Sequence, residues 1–434
     1  MMKKISRESL FKYLRKRSTT VTYDKRNPRS CKYTFEAAVM TAFSAFYLQQ
    51  PSFLRHQQNL KKPKFRKNVY RLFHSAPVPI MQTVRNILDP APLNYLHETF
   101  DDILGAMDRS GLLRQLRVDN EMGLLLAFDG ITYFSSGNLS NDQCSITQHQ
   151  NGNDTYTQAG VTLSIIHPHQ NVALPIAFEP IVPQDGHDKQ DCERAAMHRL
   201  LRRFRSKHKT LKATILVDAL HCNHPSFSLL TELRLHWLAA CKPGSQKTLF
   251  EWITTARAGK DLGEHQERLR IKGVFYRRTY EYMNNIPIRD SEDAVKANFV
   301  SLVEVNERTN QRYEFSYASD LNINKNNATR RALAGRKRWK IENEEHNTLT
   351  NQGYSFKHNF GHGKHYLLSV FAALKLLAFL MHEILNLVGQ DGLSILMQET
   401  SRLECFENIR VSIKSRQWEN WEQIYSHIYA WNTS

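Results

Sequence analysis

Apolar residues recur at helical spacing through much of the first 118 residues. The clearest run is Thr34–Gln49, and similar runs cover Met81–Leu88 and Leu93–Ser110. Prolines punctuate these segments, as is usual at helix ends. A basic run, Lys61–Lys67, separates the first helix from the others. Residues 1–118 are therefore predicted to form a helical domain. Its role is either DNA binding or that of a cap or dimerisation element, because no recognition helix stands out.

From about residue 119 the helical spacing gives way to short apolar segments separated by polar turns, a pattern typical of strands. Strands are predicted at Leu124–Phe128, Gly160–Ile166, Val172–Phe178, Ala213–Val217 and Leu235–Ala240, with helices at Gln190–Phe204 and Phe227–Arg234. The order is three strands, helix, strand, helix, strand. This is the order of a ribonuclease H-like core with a mixed sheet. The predicted fold class is α/β, and residues 119–245 form the first part of that core.

Residues 246–318 do not continue this rhythm. Val300–Val305 and Arg312–Tyr317 predict a β-hairpin, and Ile271–Tyr280 is a candidate for a further strand. A mostly β insertion within the core accounts for this segment. Residues 319–398 are predicted to complete the core, beginning with a long helix from Asn327, an acceptable N-cap, to Gly353. Residues 399–434 are predicted to form a C-terminal helical tail.

The most hydrophobic stretch of the chain is Tyr366–Val388. Lys375, His382 and Glu383 interrupt it, whereas a membrane span needs about 20 nearly uncharged residues. We interpret it as a buried core helix and expect no membrane partner. No apolar signal-peptide core follows the basic N-terminus. Six scattered cysteines without a Cys-x-x-Cys pair argue against a disulfide framework, so a reducing cytoplasm is expected.

The balance of charge points to a polyanionic partner. The chain has 59 Lys and Arg residues against 42 Asp and Glu, a formal net charge of +17. Nucleic acid is the first candidate for such a partner, although a basic protein can also lack one.

Three acids stand where metal-dependent phosphodiester chemistry needs them. Asp129 ends the apolar run Leu124–Phe128, Asp218 ends Ala213–Val217, and Glu342 lies on the predicted helix. Two divalent cations that bridge the attacking and leaving oxygens need carboxylate ligands, and Mg²⁺ prefers them. Each acid alone is ordinary, because Asp is common in turns and Glu on charged helices. Together they predict a site for two Mg²⁺ ions, with Mn²⁺ as a substitute.

The helix that carries Glu342 is basic. Arg338 and Glu342 are four residues apart and share a helix face. The plain interpretation is a surface ion pair; the functional one places Arg338 on a DNA phosphate beside the metals. Arg336, Lys337 and Lys340 would extend that DNA-binding surface.

The chain resembles the DDE transposases of bacterial insertion sequences, in the branch that has a β insertion before the catalytic glutamate. The resemblance covers about residues 120–390 and is carried by Ala127–Gly130, Ile215–Leu220 and Arg338–Glu344, whose Arg-Trp-x-Ile-Glu motif is the most specific. It implies that Asp129, Asp218 and Glu342 are catalytic metal ligands and that Arg338 contacts DNA. The family also has a tyrosine three residues before the arginine and a lysine seven residues after the glutamate. This chain has Gly335 and Leu349 at those positions.

The expected function is therefore DNA transposition: metal-dependent cleavage at the ends of an insertion sequence, followed by strand transfer of the 3′-hydroxyl into target DNA. The expected partners are double-stranded DNA, as terminal inverted repeats and as target, and a second copy of the chain in a synaptic complex. The expected location is the bacterial cytoplasm, in association with the nucleoid. Two alternatives remain open: a non-cutting DNA-binding regulator derived from a transposase, and a ribonuclease H-like nuclease without strand transfer. Zinc binding by the histidines around residues 221–224 or 358–365 is a further, less favoured possibility.

Overall fold

The structure is a computed structural model that describes residues 5–21, 24, 26, 31–75, 77–150, 152–183, 189–389 and 392–433. The first four residues of the basic N-terminus considered for a signal peptide lie outside this range. The helical N-terminal part consists of α1 (Arg7–Thr19), α2 (Phe35–Tyr47), α3 (Phe53–Leu60), α4 (Pro63–Phe73), α5 (Met81–Leu88), α6 (Asn94–Arg109) and α7 (Leu112–Gln115).

The three helices predicted in this part are confirmed as α2, α5 and α6. The interpretation of Lys61–Lys67 as a separator is wrong, because Pro63 begins α4 within that run. Helix α4 buries Phe65, Val69 and Leu72 on one face, at the spacing of four and three residues that an amphipathic helix requires. The lysines and arginines of the run lie on its other face.

The central part contains β1 (Leu124–Ser136), β2 (Ser145–Gln148), β3 (Asp154–Ile166), β4 (Ala173–Pro180), α8 (Lys189–Lys207), β5 (Ala213–Val217), α9 (His224–Glu232) and β6 (His236–Ala240). Apart from the short β2, this is the predicted order of strands and helices. The largest differences are in strand length: β1 continues eight residues beyond Phe128, so Asp129 lies within the strand and not at its end, and β3 begins six residues before Gly160. The strand continues because antiparallel pairing with β3 extends from Leu125 to Ser136.

The insertion adds strands to the same sheet. It contains α10 (Lys247–Gly259), β7 (Gly263–Ile271), β8 (Val274–Pro287), β9 (Lys296–Asn306) and β10 (Arg312–Ser319). The predicted hairpin is confirmed as β9 and β10. The candidate strand Ile271–Tyr280 is wrong in its position, because a turn at Lys272 and Gly273 divides it between β7 and β8.

The sheet is mixed, and its strand order is β2-β3-β1-β5-β6-β10-β9-β8-β7, with β4 also paired to β3. Strand β1 runs antiparallel to β3 and parallel to β5, and β5 runs parallel to β6. Strand β10 pairs antiparallel with β6 and so joins the insertion to the central sheet. The α/β class with a mixed sheet is thereby established.

The remaining helical segments are α11 (Ala328–Arg336), a 3₁₀ turn (Lys337–Trp339), a π-helical turn (Ile341–His346), α12 (Asn347–Asn351), α13 (Leu367–Val388), α14 (Gly392–Glu399), α15 (Arg402–Ser415) and α16 (Trp421–Thr433). The predicted long helix is thus a chain of helical segments with a π turn at Glu342. The predicted tail contains α15 and α16, and α14 ends at its first residue. Among the described residues, α13 alone is long and apolar enough to cross a membrane, and it is buried within the fold as predicted.

The two faces of the sheet have different coverings. Leu126, Ile215 and Trp237 belong to a large core shared with the N-terminal helices, α8, α9, α13 and the C-terminal helices. Leu125, Ala127 and Leu216 belong to a smaller core on the other face. That core is closed by α11 and the π turn, through Ala328, Ala332, Ala334 and Ile341. The segment that carries Glu342 therefore lies on the face to which residues 125 and 127 point.

Candidate active site

The strand register brings Asp129 and Asp218 together. The parallel pairing of β1 with β5 matches Leu126 with Ile215 and Ala127 with Leu216. Two residues further along are Asp129, within β1, and Asp218, which directly follows β5, and neighbouring strands lie about 4.8 Å apart. Because side chains alternate across a strand, both aspartates point to the same face as Ala127 and Leu216.

Each aspartate is held locally by backbone N–H groups. Oδ1 of Asp129 accepts a hydrogen bond from the N–H of Gly130 at 2.9 Å. Oδ1 of Asp218 accepts from the N–H groups of Leu220 and His221, at 3.0 and 3.4 Å, and so caps the 3₁₀ turn that follows β5. These bonds fix the orientation of the carboxylates.

Arg338 connects Asp129 to Glu342. Its Nη1 donates to Oδ2 of Asp129 at 3.4 Å, and its Nη2 donates to Oε1 of Glu342 at 2.6 Å. The side chain of Arg338 is 20% exposed and that of Glu342 is 53% exposed, so Glu342 reaches the site from the solvent side. Glu342 lies in a π-helical turn, a form that occurs often at functional sites.

Burial and charge act against each other at this site. Burial raises the pKa of Asp129, and so do the negative charges of Glu342 and Asp218, while Arg338 and the Gly130 N–H oppose the shift. For Arg338, burial works against the charged form, but the carboxylates of Asp129 and Glu342 outweigh it and raise the arginine pKa. The three acids and Arg338 thus form one electrostatic cluster.

The three acids offer ligands that suit a hard cation, although the guanidinium of Arg338 lies among them. Asp129, Asp218 and Glu342 offer carboxylate oxygens, the ligands that Mg²⁺ prefers. Among the described residues, no three His, Cys, Asp or Glu side chains are close enough together to hold a metal ion in the present arrangement. The guanidinium of Arg338 bonds to two of the three acids. A cation between those two acids would have to displace it.

A fourth acid, Glu345, lies beneath the site and was not predicted. Its side chain is fully buried, and the hydroxyl of Ser164 donates to its Oε2. Ser164 is paired with Ala127 across β1 and β3, and the neighbouring Thr162 is paired with Asp129. Burial raises the pKa of Glu345 to about 8. A neutral carboxylic acid therefore joins the π turn to the strand that flanks Asp129.

The structure explains why position 335 is a glycine, which the sequence alone did not show. A Cβ atom at this position would lie 2.5 Å from Cδ1 of the Tyr317 ring, a contact that real Cβ atoms do not make. The ring of Tyr317, from β10, therefore covers the helix backbone three residues before Arg338. Leu349, at the position of the family's lysine, is fully buried in the core and brings no positive charge to the surface.

The other predicted DNA contacts differ in how accessible their charges are. Arg336 donates to Oε1 of Glu304 at 3.0 Å. The ammonium group of Lys340 is bonded to the carbonyl oxygens of His167 and Gln170, and the residue is 3% exposed. Burial lowers the pKa of Lys337, and nearby arginines add to the effect. Arg338 is the one of these four residues that contacts the predicted catalytic acids.

Two further residues approach the aspartates. His221 is buried with its ring centroid 5.1 Å from that of Phe128, and burial lowers its pKa to about 4, so its ring is neutral at pH 7. A Cβ on Gly130 would lie 2.8 Å from Oε1 of Glu193 on α8. The glycine after Asp129 therefore allows the α8 carboxylate to come close to the strand.

Neither a scan against protein-family models nor a search of curated proteins finds a match for this chain.

Proposed function

We propose that this protein is a DDE transposase that cuts double-stranded DNA at the ends of an insertion sequence and transfers the 3′-hydroxyl into target DNA. The observation that carries the proposal is the pairing of strands β1 and β5. It makes Asp129 and Asp218 neighbours on one face, and Arg338 connects Asp129 to Glu342 on the segment that covers that face.

The topology supports a ribonuclease H-like core. Strands β4, β3 and β1 are antiparallel neighbours, and β5 and β6 follow β1 in parallel through the helices α8 and α9. The insertion lies between β6 and the Glu342 segment, which agrees with the family branch that the motifs resemble. Fold resemblance alone does not establish chemistry, so the proposal depends on the acids.

The residues have distinct roles in this proposal. Asp129, Asp218 and Glu342 would hold Mg²⁺, which supplies an activated water and charge stabilisation for the phosphodiester. The backbone bonds of Asp129 and Asp218 hold those carboxylates in place before DNA arrives. Arg338, once released from the two acids, offers a rigid pair of donors to a phosphate. Tyr317 and Glu345 hold the segment that carries Arg338 and Glu342.

The test is DNA cleavage by matched variants. Asp129→Asn, Asp218→Asn and Glu342→Gln are each expected to abolish Mg²⁺-dependent cleavage of DNA that carries the flanking ends of the gene, and to retain DNA binding in EDTA. Glu344→Gln is the control, because it makes the same change of charge two residues from Glu342. Retained cleavage in either aspartate variant refutes the proposal, and equal loss in the control variant refutes the role of Glu342.

The products separate the proposal from its alternatives. A transposase joins the cut 3′ ends covalently to a target plasmid, whereas a nuclease releases ends without joining them. A regulator that does not cut would bind the ends and yield neither product. Joined products from the wild-type chain, and none from Asp218→Asn, are the expected result.

A further inference from the structure

Helix α4 exposes an almost entirely basic face. Its solvent-facing residues after Pro63 are Lys64, Arg66, Lys67, Tyr70 and Arg71. The residues between them face the core, so the basic positions are fixed by the packing of the helix. The turn that precedes α4 adds Lys61 and Lys62, both exposed.

The end of α15 is joined to α4 through hydrogen bonds. Nδ2 of Asn68 donates to the carbonyl oxygens of Ile413 and Arg416, both at 2.8 Å, and its Oδ1 accepts from the N–H of Trp418. Nζ of Lys64 donates to the carbonyl oxygen of Ser415 at 3.1 Å. Asn68 is buried, so the two helices are held at a fixed distance although some 350 residues separate them in sequence.

This junction gathers cations from both ends of the chain. The name α4–α15 surface is used here for eight cations: Arg55, Lys61, Lys62, Lys64, Arg66, Lys67, Lys414 and Arg416. Within the described part of the chain, none of the eight has a carboxylate within 4.0 Å, and only Arg71, at their edge, is paired, with Glu419. Burial lowers the pKa of Lys414, and the positive charges of Arg55, Arg410 and Lys62 lower it further, while Glu407 opposes them. The cations are therefore close enough to repel one another.

Several exposed arginines elsewhere are paired with acids. Arg202 pairs with Glu232 at 2.6 Å, Arg257 with Glu281 at 2.6 Å, and Arg268 with Glu307 at 2.8 Å. An uncompensated cluster of like charges opposes folding, and a polyanion would relieve that repulsion. Among the described residues, the cations of the α4–α15 surface have no such carboxylate partners, and a polyanion would supply the missing negative charge.

We propose that the α4–α15 surface binds the phosphate backbone of double-stranded DNA, with α4 lying along the duplex and the end of α15 holding the adjoining phosphates. This inference deepens the proposed function and takes its ligand, duplex DNA, from it. It makes the C-terminal tail part of the DNA-binding surface.

The dimensions and chemistry favour a duplex over a membrane. An eleven-residue helix is about 16 Å long and, with side chains, about 10–12 Å wide, close to the width of the major groove of about 12 Å. A helix that lies on a membrane needs a continuous apolar face in contact with lipid. The exposed face of α4 carries one aromatic residue, Tyr70, and no aliphatic one.

The test is the salt dependence of DNA binding, measured in EDTA so that cleavage cannot occur. The probe is a mixed-sequence duplex of about 30 base pairs, three helical turns, and the readout is fluorescence anisotropy. The triple variant Lys64→Gln, Arg66→Gln, Lys67→Gln is expected to weaken binding more than tenfold. It should also reduce the slope of log K against log salt by about 2.7, at about 0.9 for each lost phosphate contact.

The control is the triple variant Arg202→Gln, Arg257→Gln, Arg268→Gln, which removes the same charge from paired arginines and is expected to bind within about twofold of wild type. The double variant Lys414→Gln, Arg416→Gln tests the tail and should reduce the slope by about 1.8. An unchanged slope in the α4 variant, or an equal reduction in the control, overturns the proposal. So does a loss of binding to phosphatidylserine vesicles by the α4 variant without a loss of binding to the duplex.

The outcome is separable from that of the proposed function. If the α4 variant loses duplex binding and the wild type neither cuts nor joins DNA, the proposed DNA-binding surface is supported and the transposase assignment is refuted. If the wild type cuts DNA in Mg²⁺ but the α4 variant binds the duplex as well as wild type, the transposase assignment is supported and the proposed DNA-binding surface is refuted. Far-UV circular dichroism and urea midpoints equal to those of wild type exclude misfolding.

Discussion

Glu345 offers a test of the support beneath the active site, because its buried carboxyl should make the stability of the protein depend on pH. Ser164 donates to one carboxyl oxygen, and the other, Oε1, has no hydrogen-bond partner in the structure. The ring of His346 lies beside this oxygen, with Nε2 3.8 Å from Oε1. Burial lowers the pKa of His346 to about 4, so that ring is neutral and does not favour an ionised Glu345 at pH 7.

The magnitude follows from proton linkage. Burial raises the pKa of Glu345 from its ordinary value of 4.5 to about 8 in the folded protein. Below the lower value both states carry the proton and the group has no effect. Between the two values the unfolded chain ionises while the folded protein keeps the proton, so stability falls as pH rises, by about 1.4 kcal/mol per unit. The loss reaches about 4 kcal/mol near pH 8 and then levels off.

Glu345→Gln should remove this dependence, because the amide keeps the shape and cannot ionise. We expect a free energy of unfolding within about 1 kcal/mol of wild type at about pH 5, and several kcal/mol above wild type at about pH 8. Urea denaturation at a series of pH values measures both. Glu344→Gln makes the same change of formal charge at the adjacent residue and should follow the wild-type curve. Parallel curves for wild type and Glu345→Gln would refute the account of a neutral buried acid.

Two further substitutions test the segments around the site. Lys375 on α13 donates to the carbonyl oxygens of Ser355, Phe356 and His358, and it is 3% exposed; Lys375→Met should lower the free energy of unfolding by about 2 kcal/mol, because those acceptors lose their donor. Amide hydrogen exchange of residues 355–358 should then increase, and unchanged protection would contradict this role. Gly335→Ala should cost about 1–3 kcal/mol through the clash with the Tyr317 ring. Adding Tyr317→Ala should recover part of that loss, whereas a simple sum of the two costs would show that the residues do not interact.

Local patterns predicted the elements that are bounded by clear breaks. Strand β5 and helix α5 begin and end where the sequence indicated, because β5 is a short apolar segment with polar neighbours and α5 is an amphipathic segment flanked by Pro79 and Pro90. Helix α4 was missed although Phe65, Val69 and Leu72 have helical spacing, since the lysines around them resembled a linker. The division of the candidate strand Ile271–Tyr280 had a local signal, Gly273, which like Lys272 has a positive φ, as hairpin turns of two residues require.

Only the short motifs of the site could be predicted from the sequence. Asp129, Asp218 and Glu342 could be selected from short patterns, but their proximity depends on the pairing of β1 with β5 over 89 residues. Glu345 and Tyr317 could not be selected, because their roles come from contacts with residues far away in sequence. Ser164 is 181 residues from Glu345. Such contacts are set by the tertiary fold and leave no periodic trace in either segment.

A metal ion that enters the site must compete with Arg338 for Asp129 and Glu342. The guanidinium pairs with both Asp129 and Glu342, so a cation that binds both acids must first displace it. The pair with Glu342 is partly open to solvent, which limits its energy. Arg338→Gln should therefore bind Mn²⁺ about tenfold more tightly in the absence of DNA, equivalent to about 1.4 kcal/mol, while cleavage of DNA decreases because a phosphate donor is lost.

Titration of free Mn²⁺ by electron paramagnetic resonance measures the first effect without DNA, and the cleavage assay measures the second. Arg336→Gln is the matched control, since it removes the same charge from an arginine that pairs with Glu304 instead. It should leave the affinity for Mn²⁺ near that of wild type. Weaker Mn²⁺ binding by Arg338→Gln would mean that the arginine assists the acids in holding the metal, and the competition would be refuted. Tighter binding together with slower cleavage would mean that one side chain holds the acids before DNA arrives and holds phosphate afterwards.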